Sequence, residues 1–140
     1  MKHLLFVLLL ASEPAAAQTI STIDIIKVNG KYEKEALFFY SANWEQFRKE
    51  ALKQQVISGF ELLKTGKDSL DYFHIILKTD YPDSATFNKR EENFRPIMKS
   101  ISPNGPKLLN EVKLKEFIQY ISGYDLTSMI FERKPGKAVK

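Results

Sequence analysis

Apolar and polar residues change their period along this chain, and the changes mark out its elements. Residues 20–28 alternate loosely and are rich in Ile and Thr, which predicts a first strand. Asn29-Gly30 is a turn signal. Leu37, Tyr40, Trp44, Phe47 and Ala51 then recur at spacings of 3, 4, 3 and 4, one stripe of a helix predicted over 32–57. Its other side carries Glu35, Glu45, Lys49, Glu50 and Lys53. Gly59 after Ser58 predicts where it stops, because glycine terminates helices well. Residues 60–65 read as a short strand, 66–68 as a turn and 71–79 as the clearest strand in the chain. In that strand Phe73, Ile75 and Leu77 point one way, and Tyr72, His74, Ile76 and Lys78 the other.

The second half repeats the scheme. Asp83 or Ser84 is placed to cap a helix whose buried face is Phe87, Phe94, Ile97, Met98 and Ile101. Pro96 inside that pattern predicts a kink or a division. Residues 102–106 have loop composition. Leu114, Phe117, Ile118 and Ile121 predict a short amphipathic helix ending before Gly123, and 124–131 alternate as a last strand. The order is β-α-β-β-α-(α)-β. Two right-handed crossovers then give an α+β, ferredoxin-like βαββαβ fold: a four-stranded antiparallel sheet with helices on one face. The other face keeps Ile76 and Tyr72, a surface suited to a second subunit.

The ends follow different rules. Met1-Lys2-His3, the apolar run 4–11, the break at Ser12-Glu13-Pro14 and the small residues Ala15-Ala16-Ala17 form the secretory pattern, so residues 1–17 are expected to be a cleaved signal peptide. The run falls short of the roughly 20 residues needed to cross a bilayer, so no membrane span is expected. The protein is expected to be periplasmic or secreted, with a folded domain over 18–132 and a disordered tail over 133–140. With no cysteine, there is no disulfide, thiol nucleophile, thiolate zinc site or iron–sulfur cluster. Stability must come from apolar packing, for which ten Phe, six Tyr and one Trp are available. The net charge of +4 is spread over scattered lysines and gives no case for nucleic acid.

Lys27-Val28-Asn29-Gly30-Lys31, then Glu35-Ala36-Leu37-Phe38-Phe39-Tyr40 with Asn43-Trp44, resembles small exported bacterial proteins of the dimeric α/β-barrel superfamily. So does Lys89-Arg90-Glu91-Glu92-Asn93-Phe94, followed by Leu108-Leu109-Asn110-Glu111. The resemblance covers most of residues 20–131. It implies two ferredoxin-like subunits joining their sheets into a barrel, and relatives that include cofactor-independent monooxygenases, haem-degrading enzymes and chlorite dismutase-like proteins. It carries over no catalytic set.

The candidate chemistry is sparse. His74 is the one histidine left after processing, with Tyr72 and Lys78 on its face. If the first strand pairs with this one, Asp24 comes near it and a His–Asp general base becomes available. His74 is alternatively a haem ligand, or a strand histidine hydrogen-bonded at a subunit interface. One histidine is too few for a zinc site, and no metal is expected. There is no Gly-x-Ser-x-Gly elbow, phosphate loop or helix-turn-helix signal. Tyr40, Asn43 and Trp44 either line a pocket for a flat ligand between the first helix and the sheet, or belong to the core. Arg90 or Glu91 falls where the helix calls for an apolar residue, which places a charge in a cleft for an acidic ligand or, after a kink, in water. Asp68, Asp71, Asp80 and Asp83 read as turn and cap residues rather than a calcium loop.

The candidate ligand-binding set is therefore Tyr40, Asn43, Trp44, Tyr72 and His74, with no catalytic residue or cofactor assigned. The leading expectation is an exported homodimeric ligand-binding or accessory protein taking a small hydrophobic or aromatic ligand. The alternative is a small monooxygenase-like or haem-binding enzyme acting on an aromatic or hydrophobic substrate. The signal peptide makes a direct prediction: intact-mass measurement of the exported protein gives a chain beginning at Gln18, and a mass that includes residues 1–17 refutes cleavage.

Overall fold

The structure is a computed structural model, and residues 20–126 are described. The proposed signal peptide and tail, and the last residues of the predicted final strand, lie outside that range.

The chain runs β1 (Ile20–Asn29), α1 (Glu33–Phe39), α2 (Glu45–Lys53), β2 (Gly59–Lys64), β3 (Tyr72–Tyr81), α3 (Ser84–Asn88), α4 (Arg90–Ile101), α5 (Leu114–Phe117) and β4 (Gln119–Leu126). The four strands form one open antiparallel sheet in the order β2-β3-β1-β4. This is an α+β domain compatible with a ferredoxin-like arrangement. No helix of the described residues is long and apolar enough to cross a membrane.

The register of the central pair sets the two faces. Ile26 opposes Ile75, and Val28 opposes Phe73. All four are buried, and they face the helices together with Leu77, Thr79 and Tyr81. Burying each of these large apolar side chains contributes roughly 1.5–3 kcal/mol. Ala36, Tyr40 and Phe117 close this part of the core, while Ala51, Ile57, Tyr81, Phe94 and Ile97 form a second cluster beside it.

α1 and α2 are joined through a π-helical turn, Tyr40–Trp44. A π turn holds one residue more than an α turn, so it shifts the phase of the buried stripe. The predicted stripe holds from Tyr40 through Ala51, but ahead of the turn Ala36 is buried and Leu37 is exposed. Two side-chain amides serve carbonyls in this stretch: Asn43 Nδ2 donates to Phe39 O at 2.8 Å, and Gln46 Nε2 to Ser41 O at 2.9 Å. Asn43 also holds the loop that precedes α5. Its Nδ2 donates to Lys107 O at 2.8 Å, and its Oδ1 accepts from Lys107 N at 2.7 Å.

Four boundaries differ from the sequence expectation. The first helical run stops at Lys53, not near residue 57, because Gln55 adopts φ of 58° and turns the chain; Gly59 opens β2 instead. The second helical segment divides at Lys89, between α3 and α4, and α4 runs through Pro96. Pro96 is exposed, and Glu92, four residues earlier, is exposed too, so water can serve the carbonyl that proline leaves unbonded. Asp83 caps α3 as expected, accepting from Thr86 N at 2.7 Å. The last helix is only Leu114–Phe117, and the last strand starts at Gln119 rather than 124. Pairing with β1 overrides the helical spacing of Ile118 and Ile121. Ile25 opposes Ser122 and Ile26 opposes Tyr120, so Ile121 is the extra residue of a β-bulge.

Replacing Asn43 with alanine removes three part-buried hydrogen bonds to the backbone. The expected cost is about 2–3 kcal/mol in urea unfolding, with faster amide exchange at Lys107. An unchanged urea midpoint would show that the clamp is dispensable.

Candidate functional site

On the helix-covered face of β1 the apolar alternation fails at two places. Ile20, Ile26 and Val28 are buried there, but Thr22 and Asp24 occupy the intervening positions of the same face. Beside them the core is not filled. A cavity of about 720 Å3 opens between α2, α4 and the sheet, bounded on its floor by Thr22, Asp24 and Tyr81 and on its walls by Arg48, Phe94 and Met98. Arg90, Glu91, Arg95, Gly123 and Tyr124 complete its rim.

Arg48 is the residue that defines this space. It leaves α2 toward the sheet, and its Nε donates to Oγ1 of the buried Thr79 at 3.0 Å. Its guanidinium lies 4.2 Å from the ring centre of Phe94 and 4.8 Å from that of Trp44. Cation–π contacts of this kind contribute roughly 0.5–2 kcal/mol, more where water is excluded. Burial pulls the Arg48 pKa below its ordinary value, against the support of Tyr81 and Asp24. Arg90 is anchored from α4, with Nη1 donating to Phe87 O at 3.2 Å and the guanidinium 4.2 Å from the Phe87 ring centre. Phe87 in turn meets Tyr81 edge-on at 5.4 Å. The site is thus a polar floor, three arginines, two carboxylates and an apolar side made by Phe94 and Met98.

The residues singled out from sequence are divided among three places. Tyr40 is buried in the first core cluster. Trp44 packs edge-on against Phe60 at 5.8 Å and reaches the cavity only through its stack on Arg48. Asn43 spends its amide on the helix and the Lys107 loop. Tyr72 borders a separate cavity of about 350 Å3 at the end of the sheet, under Lys27 Nζ at 4.2 Å. His74 is half-buried on the open face, opposite Lys27, and lines neither cavity. The expected meeting of His74 with Asp24 does not occur: Asp24 opposes Leu77 and shares the helix-covered face, three residues and one face away.

Sequence reading did reach one part of the site. The interruption of the helical stripe at Arg90 and Glu91 is real, and both residues border the cavity. Thr22, Asp24 and Arg48 escaped it, although polar residues in the inward phase of β1 and of the first helix were the available signal.

Two buried tyrosines give the region a pH signature. Burial, and then the negative charge of Asp24, pushes the Tyr40 hydroxyl well above its usual pKa. Burial also raises Tyr81, against the pull of Arg48 and Arg90. Both groups keep their protons in the folded chain at a pH where the unfolded chain releases them. Their contribution is complete below about pH 10 and is lost as pH rises through the folded values, at up to ~1.4 kcal/mol per unit for each group. Urea midpoints are therefore expected to fall above pH 10, and less steeply in Tyr40→Phe; equal slopes for the two proteins would exclude Tyr40 as a source.

No family model and no curated protein sequence matches this chain.

Proposed function

We propose that this chain is an exported, homodimeric, ferredoxin-like protein that binds a small hydrophobic or aromatic ligand and acts as a binding or accessory protein. The observation that carries the binding reading is the 720 Å3 cavity on the helix-covered face, where Phe94 and Met98 stand beside polar groups fixed by the sheet. Concave spaces that set apolar side chains beside oriented polar groups are a usual form of small-molecule sites. The alternative is a small monooxygenase-like or haem-binding enzyme using Tyr40, Asn43, Trp44, Tyr72 and His74, residues that the fold divides among three places.

The dimer reading rests on the open face of the sheet. Leu63, Ile76 and Ile25 stand in one cross-strand row, and Ile23 follows in the next. No described helix packs over this row. Leu63 is 48% exposed and Tyr124 54%. Lys27, His74, Lys78 and Glu61 border the row, giving an apolar centre with a charged rim. Two such sheets meeting face to face would form the dimeric α/β barrel that the sequence resembles.

Light scattering of the purified protein is expected to give twice the chain mass, and Ile25→Lys with Ile76→Lys to give the monomer. A wild-type monomer at micromolar concentration would remove the dimer from this proposal. Trp44 is the one tryptophan and stacks on Arg48, so its emission is a built-in reporter of the cavity. Titration with small aromatic compounds is expected to change that emission saturably. A flat response across charged and neutral aromatics would refute the binding reading.

A further inference from the structure

We infer that the cavity takes a monoanionic carboxylate with an aryl or alkyl body, the carboxylate held by Arg48 and Arg95 and the body lying against Phe94 and Met98. This deepens the binding reading above and rests on it.

The arrangement of Arg48 carries the inference. A guanidinium has five N–H donors, and a partly desolvated one left short of acceptors is costly. Among the described residues Arg48 makes one hydrogen bond, from Nε to Thr79, and no ion pair. The bond to Thr79 and the stack between Trp44 and Phe94 fix the plane of the fork. A fork held in this way is preorganised for a planar, two-oxygen acceptor, and bidentate arginine–carboxylate pairs have that geometry. Burial lowers the Arg48 pKa against the support of Tyr81 and Asp24.

Charge balance sets the size of the anion. Among the described residues that line the cavity, Arg48, Arg90 and Arg95 face Asp24 and Glu91, which leaves one positive charge over. One carboxylate neutralises it. A dianionic phosphate would overcompensate and bring a second negative charge toward Asp24. The volume of about 720 Å3 leaves room for a body beyond the head, and the apolar residues stand on the α4 side where that body would lie.

The test compares two isosteres, 3-phenylpropionate and 3-phenylpropionamide, by calorimetry and Trp44 emission on the purified protein. The carboxylate is expected to bind at least about tenfold more tightly than the amide, the scale of one charge-assisted hydrogen bond. Arg48→Met keeps an apolar stem between Trp44 and Phe94, and should bring the carboxylate-to-amide affinity ratio down to about one. Arg95→Gln, at an exposed position on α4, guards against a folding defect in the first variant and should lower the same ratio. Equal affinity for the two probes overturns the carboxylate inference and leaves the binding reading intact. A ratio unmoved by both variants overturns the assignment to these arginines. Failure of both probes to bind overturns the inference together with the reading beneath it.

Discussion

The pairing of β1 with β3 is the constraint on which everything else in this domain depends. Strand side chains alternate with a period of two, so one register decides which set is covered by helices and which is left open. With Ile26 opposite Ile75 and Val28 opposite Phe73, the inward set of the two strands supplies the centre of the core. The same register turns Thr22, Asp24, Thr79 and Tyr81 inward. It turns Ile23, Ile25, Ile76 and His74 outward. A slip of β3 by one residue would exchange its two sets, burying His74 and Lys78 and exposing Phe73 and Ile75. The core, the cavity and the open face are three consequences of one hydrogen-bond ladder.

The helices answer that ladder unequally. Over Val28 and Phe73 they bring Ala36, Tyr40 and Phe117, and the space is filled. Over Thr22 and Asp24 they bring Arg48, and it is not. The π turn at Tyr40–Trp44 contributes to this difference by rotating the stripe that follows it, so that Trp44 and Arg48 come to lie against Phe60 and Phe94. Asn43, inside the turn, binds the loop before α5 and so helps to bring Phe117 onto the core. A local irregularity of the helix thus connects the packing of one half of the sheet face to the opening in the other.

Much of the architecture was legible in the chain. The alternation from Phe73 to Leu77 and the helical stripe from Tyr40 to Ala51 come from burial patterns strong enough to survive in the fold. The misread boundaries share a cause. Gln55 does the turning work expected of glycine, and Ile118 and Ile121 carry helical spacing while β1 requires a strand beside it. Local propensity is a weak preference, of some tenths of a kcal/mol per residue, and a sheet edge awaiting its partner overrides it. The candidate site was legible only in part. Arg90 and Glu91 showed themselves as charges in an apolar phase. Tyr40 and Asn43 carried the same pattern for another reason, since one fills the core and the other ties down a loop.

The sequence by itself determined the kinds and order of the elements, the two faces of β3 and the absence of thiol chemistry, because these follow from periodicity and composition within short stretches. Only the tertiary structure decided which polar residues would meet. Asp24 and His74 lie on neighbouring strands, yet the pleat sends them to opposite faces. Arg48 and Phe94 are far apart in the chain, yet their side chains stack. Such meetings depend on register, helix phase and the path of the backbone between elements, and no local pattern of apolar and polar residues encodes those three together.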